Sequence, residues 1–399
     1  MSKLIFPYAV NSSQPIRNIK QYTEFGFVEN GVEYLDLSLG NCGCFPLGFK
    51  RQDIIGRVAE QMSDLPFCSG EFYTTNPSVL ELSDRLYDMS GGYRSVFALS
   101  GSDAIEGALR LAQLYNGRNK FLGFVKSYHG STYLSSSVSD ATYMTSFYGK
   151  DSRCVLSAYT LDNITQDLCA VVIETSSWQN GLYNPGKEFW QSLRQKCTDL
   201  DIVLIVDDIA MCGGKTGTFF GWTNVVQPDI FTMGKALTSG YFPLSATMVS
   251  DKIFDVVKHV PFCHGFSYSF SLSGIYSTLA YLDLIEKEKL FDNYPTLMTL
   301  ATDTFDRIKD KYNMITSYNN HGLVFNLTLL SEKPIDASFE QFLYQYGISA
   351  GMWNEGGTGL LIIVPLTATT KWFEELEFRL IKALTDYASI LALADNIQR

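Results

Sequence analysis

Positive charge is in short supply in this chain: 31 Lys and Arg stand against 42 Asp and Glu, leaving a net charge of −11. Nucleic acid is held through Lys and Arg contacts to phosphates, so this balance argues against a nucleic-acid partner. Histidine is scarcer still. The four copies, at positions 129, 259, 264 and 321, have no spacing that builds a zinc site, and no metal is expected. The eight cysteines form no CxxC, and Cys42 and Cys44 are the one close pair. That pattern fits free thiols in a reducing compartment. Long apolar runs are missing too. Ile390 to Ala394 is far too short to span a bilayer, and Met1 to Val10 lacks the apolar core of a signal peptide. The expectation is a cytoplasmic protein with no membrane partner.

What the chain does have is apolar bulk. It is 399 residues long, with 46% hydrophobic and 18% charged residues. That suits two domains, or one large domain with an appendage, and argues against disorder. No internal repeat or low-complexity tract occurs. Alternation over 32–37 predicts a half-exposed strand, a Gly/Pro loop follows over 41–48, and helices are expected over 52–62 and 78–89. From Tyr93 strands and helices alternate. Strands are expected over 95–99, 121–125, 170–173, 202–206 and 230–233, with helices from the turn at Ser100 to about Tyr115 and over 187–197. Such alternation means βαβ units and a mainly parallel sheet. After Ser250 the order changes to helices over 272–285 and 291–312, strands over 323–330, 347–349 and 360–364, and a helix over 371–391. The fold class read from this is α/β: a large domain over 46–290 around a mainly parallel central sheet, plus a smaller α+β domain from 1–45 and 291–399.

Chemistry concentrates where the strands end. Ser100-Gly101-Ser102-Asp103 lies between a strand and a helix, where free N–H groups and the helix dipole favour phosphate. The same residues also read as an ordinary capping box. Tyr128 and His129 end the next strand, and an aromatic ring there can stack on a planar cofactor or simply pack. Glu174 ends another strand, where a surface acid is the plain reading. Asp207 follows an unbroken apolar run, so its carboxylate needs a partner or its pKa rises. A protonated pyridine nitrogen is one such partner, and Ile209, two residues on, can pack under a ring. Lys235 follows 28 positions after Asp207. Desolvated there, it can lose its proton and form a Schiff base. The plain alternative is a structural ion pair of Asp207 with Lys215 or Lys235.

Taken together, SGSDAIEGALRLA (100–112), SYHGST (127–132), VVIE (171–174), VDDIAMCGGKTGTFFG (206–221), PDIFTMGKALTSGYFPLSA (228–246) and HGFSYS (264–269) resemble, in order, the class III aminotransferases of fold type I. The resemblance runs from about Leu35 to Leu290. It implies pyridoxal 5'-phosphate as cofactor, with Lys235 and Asp207 as catalytic residues. Lys235 would form the Schiff base and Asp207 would hold the pyridine nitrogen protonated. Gly101 and Ser102 would bind the phosphate, Tyr128 and Ile209 would cover the two ring faces, and Glu174 would join the cofactor site. Ser267 would reach the phosphate of the partner subunit, which implies a homodimer with the site at its interface. The partners so implied are a small-molecule amine donor and a carbonyl acceptor.

Within that class, GKALTSGYFPLSATMVS is most similar to the adenosylmethionine-8-amino-7-oxononanoate aminotransferases of biotin synthesis, whose donor is S-adenosylmethionine. The substrate side departs from them. Their early tryptophan pair falls on Cys42-Gly43, the acid after YHG is Ser131, and the arginine of the Gly-rich loop is Lys215. Their C-terminal arginine has no counterpart between Arg307 and Arg379, the class's glutamate-proline pair is Glu174-Thr175, and GGNP reads SFSL (269–272). Lysine replaces an arginine clamp poorly. The expected activity is transamination. The alternatives are an aminomutase or racemase of the same fold, or a binding protein that has lost turnover.

Overall fold

The computed structural model describes residue 5 and residues 18–398, apart from 71–72, 141, 313, 330–336 and 352–358. Met1 to Val10, apart from Ile5, and Leu330 therefore lie outside the described residues.

The described chain begins with a meander of three short antiparallel strands, β1 (Gln21–Tyr22), β2 (Gly26–Glu29) and β3 (Val32–Asp36). Seven strands follow: β4 (Tyr93–Ala98), β5 (Lys120–Phe124), β6 (Cys154–Ser157), β7 (Leu168–Glu174), β8 (Val203–Asp207), β9 (Ile230–Met233) and β10 (Ser245–Ser250). They form one sheet in the order β4-β10-β9-β8-β7-β5-β6. The five strands from β9 to β6 pair in parallel. Every residue of β7, β8 and β9 is buried. Parallel strands covered on both faces read as unbroken apolar runs, which is why these three are plain in the sequence.

β10 is not. It lies inside the sheet, antiparallel to both β4 and β9, yet its sequence SATMVS alternates small polar with apolar residues. The polar side has structural work: Ser245 Oγ donates to Ser100 O at 2.7 Å and Thr247 Oγ1 to Ala104 O at 2.7 Å. These bonds tie the sheet to the first turn of the helix Gly101–Asn116. That helix buries Ala104, Ile105, Ala108, Leu109 and Ala112 completely, the stripe its spacing predicts.

The C-terminal part adds β11 (Ile315–His321), β12 (Val324–Leu329), β13 (Ile348–Ser349) and β14 (Gly359–Ile363). β11, β12 and β14 make an antiparallel sheet. β13 instead joins the N-terminal meander, parallel to β3, with Ile348 opposite Leu35 and Ser349 opposite Asp36. This pairing joins the N-terminal meander to a strand from the C-terminal part of the chain. In the same part, Phe305 of the helix Tyr294–Lys311 packs on β12, its ring 4.6 Å from that of Phe325. Both side chains are fully buried. Phe305→Ala leaves a cavity under a stiff sheet, at a cost of about 3–5 kcal/mol. Denaturant unfolding followed by far-ultraviolet circular dichroism checks this, and a loss below about 1 kcal/mol contradicts the packing described.

Candidate active site

Open α/β sheets bind ligands beyond the carboxyl ends of their strands. Here β4, β5, β7, β8 and β9 all deliver side chains to that edge, around a cavity of about 210 Å³. Seven of the eight residues singled out from sequence line it: Gly101, Ser102, Tyr128, Glu174, Asp207, Ile209 and Lys235. The eighth, Ser267, sits in an exposed turn outside it.

Strand register explains the convergence. Glu174 on β7 lies opposite Asp207 on β8, and Asp207 lies opposite Thr232 on β9. Three side chains thus share one level at the sheet edge, and Gly234-Lys235 follows directly after β9. Asp207 is 5% exposed. Its Oδ2 lies 2.8 Å from His129 Nδ1, and its Oδ1 accepts from Ile209 N at 3.1 Å and Thr232 Oγ1 at 3.3 Å. A carboxylate only accepts, so the bond places the imidazole proton on Nδ1. Among the described residues Asp207 forms no ion pair with Lys215 or Lys235, so the plain ion-pair alternative fails. Lys215 is buried and donates to Cys212 O at 2.9 Å, and burial pulls its pKa down.

Lys235 has a backbone φ of +44°. This left-handed conformation costs a non-glycine residue on the order of 1–3 kcal/mol and clusters at working sites. It opens a short turn, Lys235–Thr238, and the ammonium lies 4.9 Å from the centre of the Trp178 ring. Trp178 is itself held by Nε1 donating to Met211 Sδ at 3.2 Å.

The capping box is present: Ser100 Oγ accepts from Asp103 N at 3.3 Å and donates to Asp103 Oδ2 at 2.8 Å. It sets the helix start at the cavity wall and does not compete with anion binding there. Ser102 Oγ accepts from Ser131 N at 3.0 Å. At Gly101 a Cβ would lie 2.8 Å from Ile209 Cδ1, so only glycine leaves both the helix end and Ile209 open to a ligand. Three buried polar atoms of lining residues have no partner, Glu174 Oε2, His129 Nε2 and Gln179 Oε1. A helix N-terminus, a buried anchored acid, ungrouped polar atoms and an accessible lysine fit a phosphorylated pyridine aldehyde.

Comparison with known proteins agrees. The family described as Aminotransferase class-III matches residues 9–384. The chain belongs to the class III aminotransferases. The enzyme is a pyridoxal-phosphate-dependent aminotransferase. It is 27% identical over 377 residues to the acetylornithine/succinyldiaminopimelate aminotransferase of Buchnera aphidicola subsp. Acyrthosiphon pisum, covering 91% of this chain and 90% of that protein. It is 26% identical over 345 residues to the taurine–pyruvate aminotransferase of Bilophila wadsworthia, covering 76% and 75%. Among solved structures it resembles the taurine:2-oxoglutarate aminotransferase of Bifidobacterium kashiwanohense in complex with PLP and glutamate. That match has a TM-score of 0.87 at 22% identity, over 96% of this chain and 95% of that one. Neither curated relative carries the adenosylmethionine assignment toward which GKALTSGYFPLSATMVS points.

On the substrate side of this aminotransferase the departures have a physical form. A Cβ at Gly43 would lie 2.9 Å from Ile363 Cδ1, 3.0 Å from Lys215 Cε and 3.2 Å from Trp178 Cη2. The space next to this loop position is therefore already filled, by Ile363, Lys215 and Trp178 together. Leu39, Trp178, Leu182, Met211, Leu361 and Ile363 make an apolar cluster there. Arg379 lies elsewhere, donating to Glu33 O and Gly347 O.

Sequence reasoning noted His129 without a role and missed Trp178 and Gln179. The signal for the last two was their place four and five residues beyond Glu174, in the loop leaving the same strand.

Burial pushes the Glu174 carboxyl up from 4.5 to about 7, with nearby His129 lowering it and Asp207 raising it. Folding thus favours the protonated acid. Its contribution is fully present below about pH 4.5 and is lost as pH rises toward 7. Glu174→Gln removes that loss. In cofactor-free protein the variant should gain more in denaturation midpoint over the parent at about pH 8 than at about pH 5. An equal difference at both pH values contradicts the assignment.

Proposed function

We propose that this aminotransferase moves an amino group from a primary amine donor to a carbonyl acceptor, with Lys235 as the group that carries the proton. The observation that carries the reading is the shared cavity of Lys235 and the buried, histidine-anchored Asp207. When bound, pyridoxal phosphate supplies an electron sink for the carbon that loses its proton. Asp207, oriented by His129, would hold the ring nitrogen. Gly101 and Ser102 would hold the phosphate, Tyr128 and Ile209 would flank the ring, and Glu174 would join the same site from the neighbouring strand. Lys235, as a neutral amine, takes the proton from the carbon bearing the amino group and returns one at the end of the half-reaction. Ser267, exposed in its own chain, serves the site of the second copy in a homodimer, and we place the enzyme in the cytoplasm.

For the donor, the departures at Cys42-Gly43, Ser131 and Lys215 and the names of the curated relatives favour an amine of the acetylornithine or taurine kind over S-adenosylmethionine. Lys235→Ala should lower kcat by about 10²–10⁴-fold or more, the worth of a positioned proton carrier. The check is amino transfer from acetylornithine, taurine and S-adenosylmethionine to pyruvate and 2-oxoglutarate, measured by product formation. Turnover with S-adenosylmethionine alone restores the biotin-pathway subgroup. Product without any added acceptor makes the enzyme an aminomutase, and proton exchange without acceptor consumption makes it a racemase. Full activity in Lys235→Ala sinks the mechanism.

A further inference from the structure

The loop that leaves β7 is clamped almost residue by residue. Thr175 Oγ1 donates to Asp208 Oδ1 at 2.7 Å. Ser177 exchanges backbone bonds with Tyr183 at 2.9 and 3.1 Å, and its hydroxyl donates to Lys126 O at 2.6 Å. Trp178 is fixed on Met211, and Gly181 donates from its N–H to Trp178 O at 3.1 Å while its carbonyl accepts from Asn319 Nδ2 at 2.7 Å. Gln179, in the middle of this frame, is the exception. Its side chain lines the same cavity as Lys235 and Trp178, and its amide oxygen is shut off from solvent with no hydrogen-bond partner.

A buried amide oxygen without a donor costs free energy that is recovered when a ligand supplies one. No donor of the cavity wall reaches it: neighbouring Trp178 gives its N–H to Met211, and the polar side chains that line the cavity with it make no hydrogen bond to it. We infer that Gln179 is the specificity-determining residue of the amine pocket, its Oε1 accepting from a hydroxyl, amide or second amino group that the substrate carries beyond its reacting amine. This rests on the aminotransferase reading and narrows its donor to amines with a distal hydrogen-bond donor, which acetylornithine carries and taurine does not. The side chain is neutral, so it selects for a donor and not for a charge. It touches neither Asp207 nor the helix end at Gly101, so cofactor retention is independent of it.

The test compares aminopentanol with hexylamine, equal in length and differing in one hydroxyl, by calorimetric binding to the holoenzyme and by steady-state turnover. The parent should bind aminopentanol about 3–10-fold more tightly than its apolar partner, the worth of one neutral hydrogen bond. Gln179→Leu should abolish that preference, acting on KM with kcat within about twofold. Gln179→Glu keeps an acceptor oxygen and should retain it. Binding of neither amine, equal binding of both by the parent, or equal weakening of both in Gln179→Leu overturns the inference. Absence of Lys235-dependent turnover with any amine overturns the aminotransferase reading instead, and the calorimetric preference still reports on Gln179.

Discussion

The contact between Asp207 and His129 is the constraint around which the site is built. A carboxylate at the end of a strand with no exposed residue is stable only if its lone pairs are met. Asp207 meets them with an imidazole, a backbone N–H and a hydroxyl. The imidazole comes from the loop after β5 and the hydroxyl from β9, so one acid holds the exits of three strands together. Its neighbour Glu174 cannot share those donors, and burial leaves it protonated to about pH 7. Two carboxyls at one level of the sheet thereby meet different surroundings, one hydrogen-bonded by three donors and one pushed toward its protonated form by burial.

The cavity is divided by chemistry. Toward the helix Gly101–Asn116 and the ends of β5, β7 and β8 it is polar and donor-rich, suited to a phosphate and a heteroaromatic ring. At Trp178 and Ala210 its lining is apolar, and Trp178 packs in a cluster with Leu39, Met211 and Ile363. Lysine 215, which falls where the family places an arginine, is turned away into a carbonyl contact on its own loop. Its Nζ is therefore engaged with the backbone of its own loop, and Lys215 does not line the cavity. Trp178 occupies the space beside the early loop, and Gln179 is left as the free polar group on that side.

Much of this was legible before folding. β7, β8 and β9 announce themselves as unbroken apolar runs, and the acid and lysine that end two of them mark the ligand edge of the sheet. β10 was hidden because its Ser and Thr side chains bond to a helix backbone instead of to water. The partnership of His129 with Asp207 joins residues 78 positions apart and exists only through strand register. Trp178 and Gln179 were hidden for a related reason: beyond its own pairing of Ser177 with Tyr183, their loop takes its path from contacts with Lys126, Met211 and Asn319, which come from three other parts of the chain.

The central claim is that Lys235 is the residue that holds the cofactor. Reducing the pyridoxal-phosphate-loaded enzyme with borohydride, digesting it and sequencing the modified peptide by mass spectrometry tests that directly. The structure predicts a single pyridoxyl adduct, on Lys235. An adduct on Lys215, or on surface lysines with Lys235 untouched, would contradict it.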